Sequence, residues 1–257
     1  MHGELTFPVS TILSFLGVLA RMLGVFVFVP LPLKDAGPSL PRIAWALGAT
    51  LALYTRWPVL QLNSVTFTTM LALVIPDALL GIAIGLLVAF LAEALTLGAQ
   101  SLALQAGYGY ASVVDPTNQA DSDVLAVMAQ LLAGLFFFTM GLHRYVIRAL
   151  ADSLGRCPPG SFVLRQGLAK QVLSEAGGAF AVGLRLALPV IGLMLTAELT
   201  LALLGRINPQ LHLGIQAFPV KMLLALACLS AVLVVTPNLY SAYAEQLFRT
   251  IGRSVLR

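Results

Sequence analysis

Six long apolar runs dominate the chain, at 9–33, 43–62, 67–106, 124–151, 176–205 and 213–237. A helix needs about 20 apolar residues to cross about 30 Å of hydrocarbon. The runs therefore predict about six spans, the third being long enough for a span plus an extension or for two shorter helices. The rest of the 257 residues cannot balance this with a wetted surface: 15 Lys and Arg and 11 Asp and Glu make only 10% charged residues, against 59% hydrophobic ones. An ordinary soluble domain has about 25% charged residues. Mean hydropathy is +0.92. A soluble globular enzyme, a disordered chain and a nucleic-acid-binding domain are excluded on that ground. The net charge of +4 comes from loop and tail arginines, so it marks no DNA-binding face. The expected fold class is all-α, a hydrophobic polytopic membrane protein forming a single helical domain over 1–257.

The breaks between runs have turn chemistry. Pro30, Pro32, Gly37, Pro38 and Pro41 part the first two, and Asn208-Pro209 the last two. Cys157-Pro158-Pro159-Gly160 opens a polar stretch before the fifth run. The first run continues past Arg21 without an A-x-A-like site and is expected to be retained. With six spans, Arg144, Arg148, Arg156, Arg165, Lys170, Arg249, Arg253 and Arg257 flank one face and Lys34, Arg42 and Arg206 the other. The bias of positive charge then puts the C-terminus in the cytoplasm. Charges also recur inside the runs: Arg21, Arg56, Glu93, Arg185, Glu198 and Lys221, with Pro76, Pro189, Pro219 and Pro237 in or near them. A charge at the bilayer centre costs about 2.5–3.5 kcal/mol on insertion scales. Such helices pack better against protein or a water-filled path than against lipid. An intramolecular ion pair within an ordinary bundle is the plainer reading.

Chemistry of the enzymatic kind is not legible. His2, His143 and His212 share no ligand spacing with one another or with a Cys or carboxylate, and there is no Walker A or G-x-S-x-G. No metal or cofactor is called for. Cys228, inside an apolar run, reads as a small core residue. A small-solute permease would need a midplane site on broken helices, which Arg185, Pro189 and Glu198 could supply, but no inverted repeat accompanies them. Two segments stand out. The loop 107–123 opens with Gly107, Tyr108, Gly109, Tyr110, Ala111 and Ser112, followed by Asp115-Pro116. Its glycines permit close backbone approach and its tyrosines supply rigid bulk, as a plug or an interfacial belt needs. The second runs from Arg206 through Pro209, Gln210 and Leu211 to Phe218, Pro219 and Lys221.

Taken together, these segments resemble the FliR family of bacterial flagellar export, called SctT in injectisomes. Gly107, Tyr110, Ala111, Ser112, Asp115 and Pro116 match one family stretch, and Arg206, Pro209, Gln210, Leu211, Phe218, Pro219 and Lys221 another. His212 departs from the usual Asn or Ser. Gly141-Leu142-His143 and 186–190 resemble the flagellar branch, and segment order agrees over essentially the whole chain. The resemblance implies a non-enzymatic subunit of a type III export gate in the bacterial inner membrane, at the flagellar basal body. It implies long kinked helical hairpins packed in a helical subunit ring, built with the P-type and Q-type subunits FliP and FliQ. The B-type switch subunit FlhB docks on that ring and unfolded export substrates pass through it. It also maps the family's channel plug onto 107–123. Glu93, Arg185, Glu198, Arg206, Pro209, Gln210, Pro219 and Lys221 are then candidates for polar contacts between helices or subunits.

Overall fold

A computed structural model describes residues 9–30, 39–58, 66–106, 124–162, 166–207 and 213–252. Among these residues the chain is helical and has no strand. The helices are α1 (Val9–Phe28), α2 (Leu40–Ala52), α3 (Phe67–Ala106), α4 (Val124–Thr139), α5 (Leu142–Arg156), α6 (Gln166–Ile207) and α7 (Leu213–Thr250), with a 3₁₀ turn at Tyr54–Arg56. Among the described residues three stretches are long and apolar enough to cross a membrane: Ser10–Phe28, Phe67–Ser101 and Ala169–Ile207; a fourth counts if the broken pair α4–α5 makes one crossing. The polytopic all-α reading holds.

The six-span expectation does not carry over run by run. The second run yields a helix of 13 residues, about 20 Å long and short of a crossing. It stops at Leu53, and Trp57 ahead of Pro58 is extended (φ −65°, ψ 126°), as a residue before proline prefers. The fourth run breaks at Gly141, in the left-handed region at φ +71°. Beyond it α5 is amphipathic. Leu142, Val146, Leu150 and Leu154 are buried at four-residue spacing, while Arg144, Arg148, Asp152 and Arg156 are exposed. The third run is one unbroken helix of 40 residues that continues through Pro76.

The chain forms two compact units. The first comprises Met1–Ala89, Phe137–Ala176 and Glu245–Arg257. Its core takes Val18, Met22 and Val25 from α1, Leu80, Ile84 and Leu87 from α3, Leu150 and Leu154 from α5, and Leu247 from α7. Glycine sets how closely α1 and α3 approach. A Cβ on Gly24 would lie 2.7 Å from the Ala78 carbonyl oxygen, one on Gly85 2.9 Å from that of Val25, and one on Gly81 would overlap the Arg21 carbonyl. Small residues let apolar helices meet backbone to backbone in this way. Arg42 of α2 is buried and closes the C-terminus of α1, donating to the carbonyls of Phe26 (3.1 Å), Val27 and Val29 (3.3 Å). These are the orphan acceptors every helix end leaves.

The second unit comprises Phe90–Phe136 and Gly177–Ala244. Its core is built from small side chains, Ala94, Ala99, Ala133, Ala187 and Ala225, with Leu91, Leu186 and Met194 between them. Cys228 is buried here as a free thiol, as expected. A Cβ on Gly183 of α6 would lie 2.6 Å from the Ala94 carbonyl oxygen of α3. Tyr240 is buried and donates to the Ala133 carbonyl at 3.3 Å. Burial pushes its phenol pKa well above the ordinary value, so the hydroxyl stays a neutral donor.

Candidate subunit interface

In the second unit the polar residues sit on a helical surface that is otherwise apolar. Leu184, Leu188, Leu195, Leu199 and Leu203 of α6, with Leu223 and Leu226 of α7, are all exposed. Glu198 and Lys221 stand among them and answer each other: Lys221 Nζ donates to Glu198 Oε1 at 2.5 Å, tying α6 to α7. Their side chains are 34% and 25% exposed respectively, so the pair is partly shielded without being part of the core. The sequence marks both residues but not their pairing.

Glu93 on α3 and Arg185 on α6 are exposed on the same unit. Neither has a hydrogen bond or ion pair among the described residues. Both stand beside the close contact of α3 with α6 at Gly183. Glu93 precedes Ala94, whose carbonyl faces Gly183, and Arg185 follows Gly183 by two positions. Arg206, in the last turn of α6, and Pro219 on α7 are exposed. Pro209 and Gln210 lie outside the described residues. So does the whole predicted plug, with Gly107, Tyr108, Gly109, Tyr110, Ala111, Ser112, Asp115 and Pro116.

The first unit holds a polar cluster that sequence reasoning did not assemble. Arg21 and Asp77 form an ion pair with both side chains fully buried. Arg21 Nε donates to Asp77 Oδ1 at 2.8 Å, and its two terminal nitrogens reach Ser153 Oγ (3.1 Å) and the Cys157 carbonyl (2.8 Å). Asp77 Oδ2 accepts from the Gly160 amide at 2.8 Å. Arg21 stands out in the sequence as a charge inside an apolar run; Asp77 does not, because the proline before it reads as a break in the run. The usable signal is one acid and one base, each deep in its own apolar run. Among the described residues no three of His, Cys, Asp and Glu come together as a metal site would require.

Residues 12–247 match the bacterial export proteins, family 1. The chain is 31% identical over 236 residues to the flagellar biosynthetic protein FliR of Escherichia coli K12, covering 91% of this chain and 87% of that one. It is 32% identical over 213 residues to the FliR of Pectobacterium carotovorum subsp. carotovorum, covering 82% and 79%. With the FliR of Bacillus subtilis 168 it shares 22% identity over 244 residues, covering 91% and 93%.

Proposed function

We propose, from the premise that this chain belongs to the bacterial export proteins, family 1, that it is a non-enzymatic core subunit of the flagellar type III export gate. It acts in the bacterial inner membrane, at the flagellar basal body, with its C-terminus in the cytoplasm. There it helps form and close the channel through which unfolded flagellar proteins leave the cell. Its partners in this reading are the P-type and Q-type subunits FliP and FliQ and the switch subunit FlhB.

One observation carries the assembly part of this reading. Glu93 and Arg185 are exposed on long apolar helices and have no partner among the described residues. Charges so placed are poorly served by lipid tails and well served by polar groups of a neighbouring subunit. The relatives' names, all flagellar, support the flagellar branch over the injectisome. The plug role of 107–123 rests on its residue pattern and on its place between α3 and α4. Removing Tyr108 to Val114 should raise small-ion leakage through an assembled gate; unchanged conductance would end that part of the proposal.

The test of the whole is a mild-detergent pull-down of tagged chain from its native membrane, with identification and sizing of what accompanies it. A large stable complex holding FliP and FliQ is the expected result. A monomer or homodimer without them overturns the gate reading and moves attention to small-solute transport.

A further inference from the structure

We propose that Arg21 and Asp77 act as a clamp that fastens the 157–161 turn, through its buried Pro159, onto the middle of α1 and α3, while Pro158, Gly160 and Ser161 stay exposed. The contact is with the middle of α1. Gly17 and Arg21 straddle the midpoint of Ser10–Phe28, the stretch of α1 long enough to cross a membrane. The turn meets α1 at both residues. Pro159 is buried, and its Cβ would lie 2.7 Å from a Cβ placed on Gly17. The Cys157 carbonyl accepts from Arg21 at 2.8 Å.

The chemistry explains why two charges are used. An irregular turn packed on apolar helices has amides and carbonyls that no ladder pairs, and those shielded from water are costly unless protein satisfies them. Here the Gly160 amide donates to one Asp77 oxygen and the Arg21 fork takes the other. The rest of the fork spans α5, through Ser153, and the turn, through Cys157. A guanidinium offers donors in several directions within one plane, so a single side chain fastens three pieces of backbone. Within the turn the Ser161 amide donates to the Pro158 carbonyl at 3.0 Å, and Gly160 takes φ +82°, a value that favours glycine. Arg21 and Asp77 are thus positioning residues for the turn and for the end of α5.

The test is a crosslink in native membranes that hold the full chain with whatever accompanies it. A Cβ on Gly160 would lie 3.9 Å from Leu73 Cβ, inside the range of a disulfide. With Cys157→Ser and Cys228→Ser, the pair Leu73→Cys and Gly160→Cys should crosslink under mild oxidation; the positive φ at Gly160 strains any side chain there, so the yield is compared only with that of the same pair carrying a further substitution. Adding Asp77→Asn should cut the yield at least fivefold. If that variant fails to accumulate, Arg21→Lys serves in its place. It keeps a charge against Asp77 but cannot reach Ser153 and Cys157 together, so it should accumulate and still lose most of the crosslink. In the chain with its natural cysteines, Asp77→Asn or Arg21→Lys should also speed alkylation of Cys157 by a water-soluble maleimide about tenfold. No crosslink in the otherwise unaltered pair together with fast alkylation of Cys157 in the natural chain overturns the proposal, and so does a yield that neither variant changes.

Discussion

At Gly81 the backbones of two helices leave no room for a methyl group. The nearest atoms to an added Cβ are the carbonyl oxygen, carbonyl carbon and Cα of Arg21, all main chain. Nothing there can rotate away, so Gly81→Ala should push α1 off α3 and destabilise by about 1–3 kcal/mol, as overpacking does. Gly48 on α2 is the control. It is helical, exposed and has nothing within 4 Å of an added Cβ, so Gly48→Ala should be neutral or stabilising by about 0.5–1 kcal/mol. Thermal unfolding of the detergent-solubilised assembly reads both, and equal effects would sink the close-packing argument. Arg21 makes this contact with its own backbone and Asp77 lies one helical turn before Gly81, so the displacement should also disturb their pairing. Those two residues show the limit of reading at this scale. Arg21 is visible in the sequence as a charge in apolar surroundings, but Asp77, behind Pro76, does not stand out, and with the two 56 positions apart no local pattern says that they meet. Lys221 and Glu198 are the same case, 23 positions apart on different helices.

At the scale of the elements, hydropathy located the helices well where the apolar run and the helix end together, and poorly where polar turns extend the helix. The run 67–106 is α3 to the residue. The run 176–205 is only the apolar part of α6, which starts at Gln166. Its polar opening turns stay helical, and Glu175 is buried, accepting from the Thr250 hydroxyl at 3.0 Å. The run 213–237 stops at Pro237, but α7 continues to Thr250. Tyr240, Tyr243, Ala244 and Leu247 keep a buried face at three- and four-residue spacing. Apolar length measures what can sit in lipid; helix length is set by which face finds a core. Arg42 is the other departure. Its position suggested a charge flanking a span, and the structure makes it the cap of α1. Arg42→Met should therefore weaken the end of α1 more than it alters orientation in the membrane. Losing hydrogen bonds from a charged donor costs about 1.5–3 kcal/mol. Hydrogen exchange should rise in the amides of the last turn of α1 and leave α3 unchanged; protection retained in that turn would assign the cap to another group.

Across the whole molecule, α3 and α6, at 40 and 42 residues, are each about 60 Å long, twice the depth of the hydrocarbon layer. Much of each must therefore lie outside lipid or against protein, which is where exposed charges are tolerable. Composition and run length were enough for the polytopic class, but which charges face outward depends on pairing that only three dimensions supply. Glu198 and Lys221 neutralise each other inside the chain. Glu93 and Arg185 do not. If the outward charges meet partner subunits, reversing them should be worse than removing the inward pair. Arg185→Glu and Glu93→Lys should each reduce co-purified FliP and FliQ by roughly tenfold or more, since like charges juxtaposed at an interface cost several kcal/mol. Glu198→Gln combined with Lys221→Met leaves no uncompensated charge and should retain most of the assembly. The combination of Arg185→Glu with Glu93→Lys decides between two geometries. Continued loss means that each charge meets its own group on a neighbour. Recovery means that Glu93 and Arg185 answer each other in the assembled gate, and the contact surface must then be sought elsewhere on the second unit.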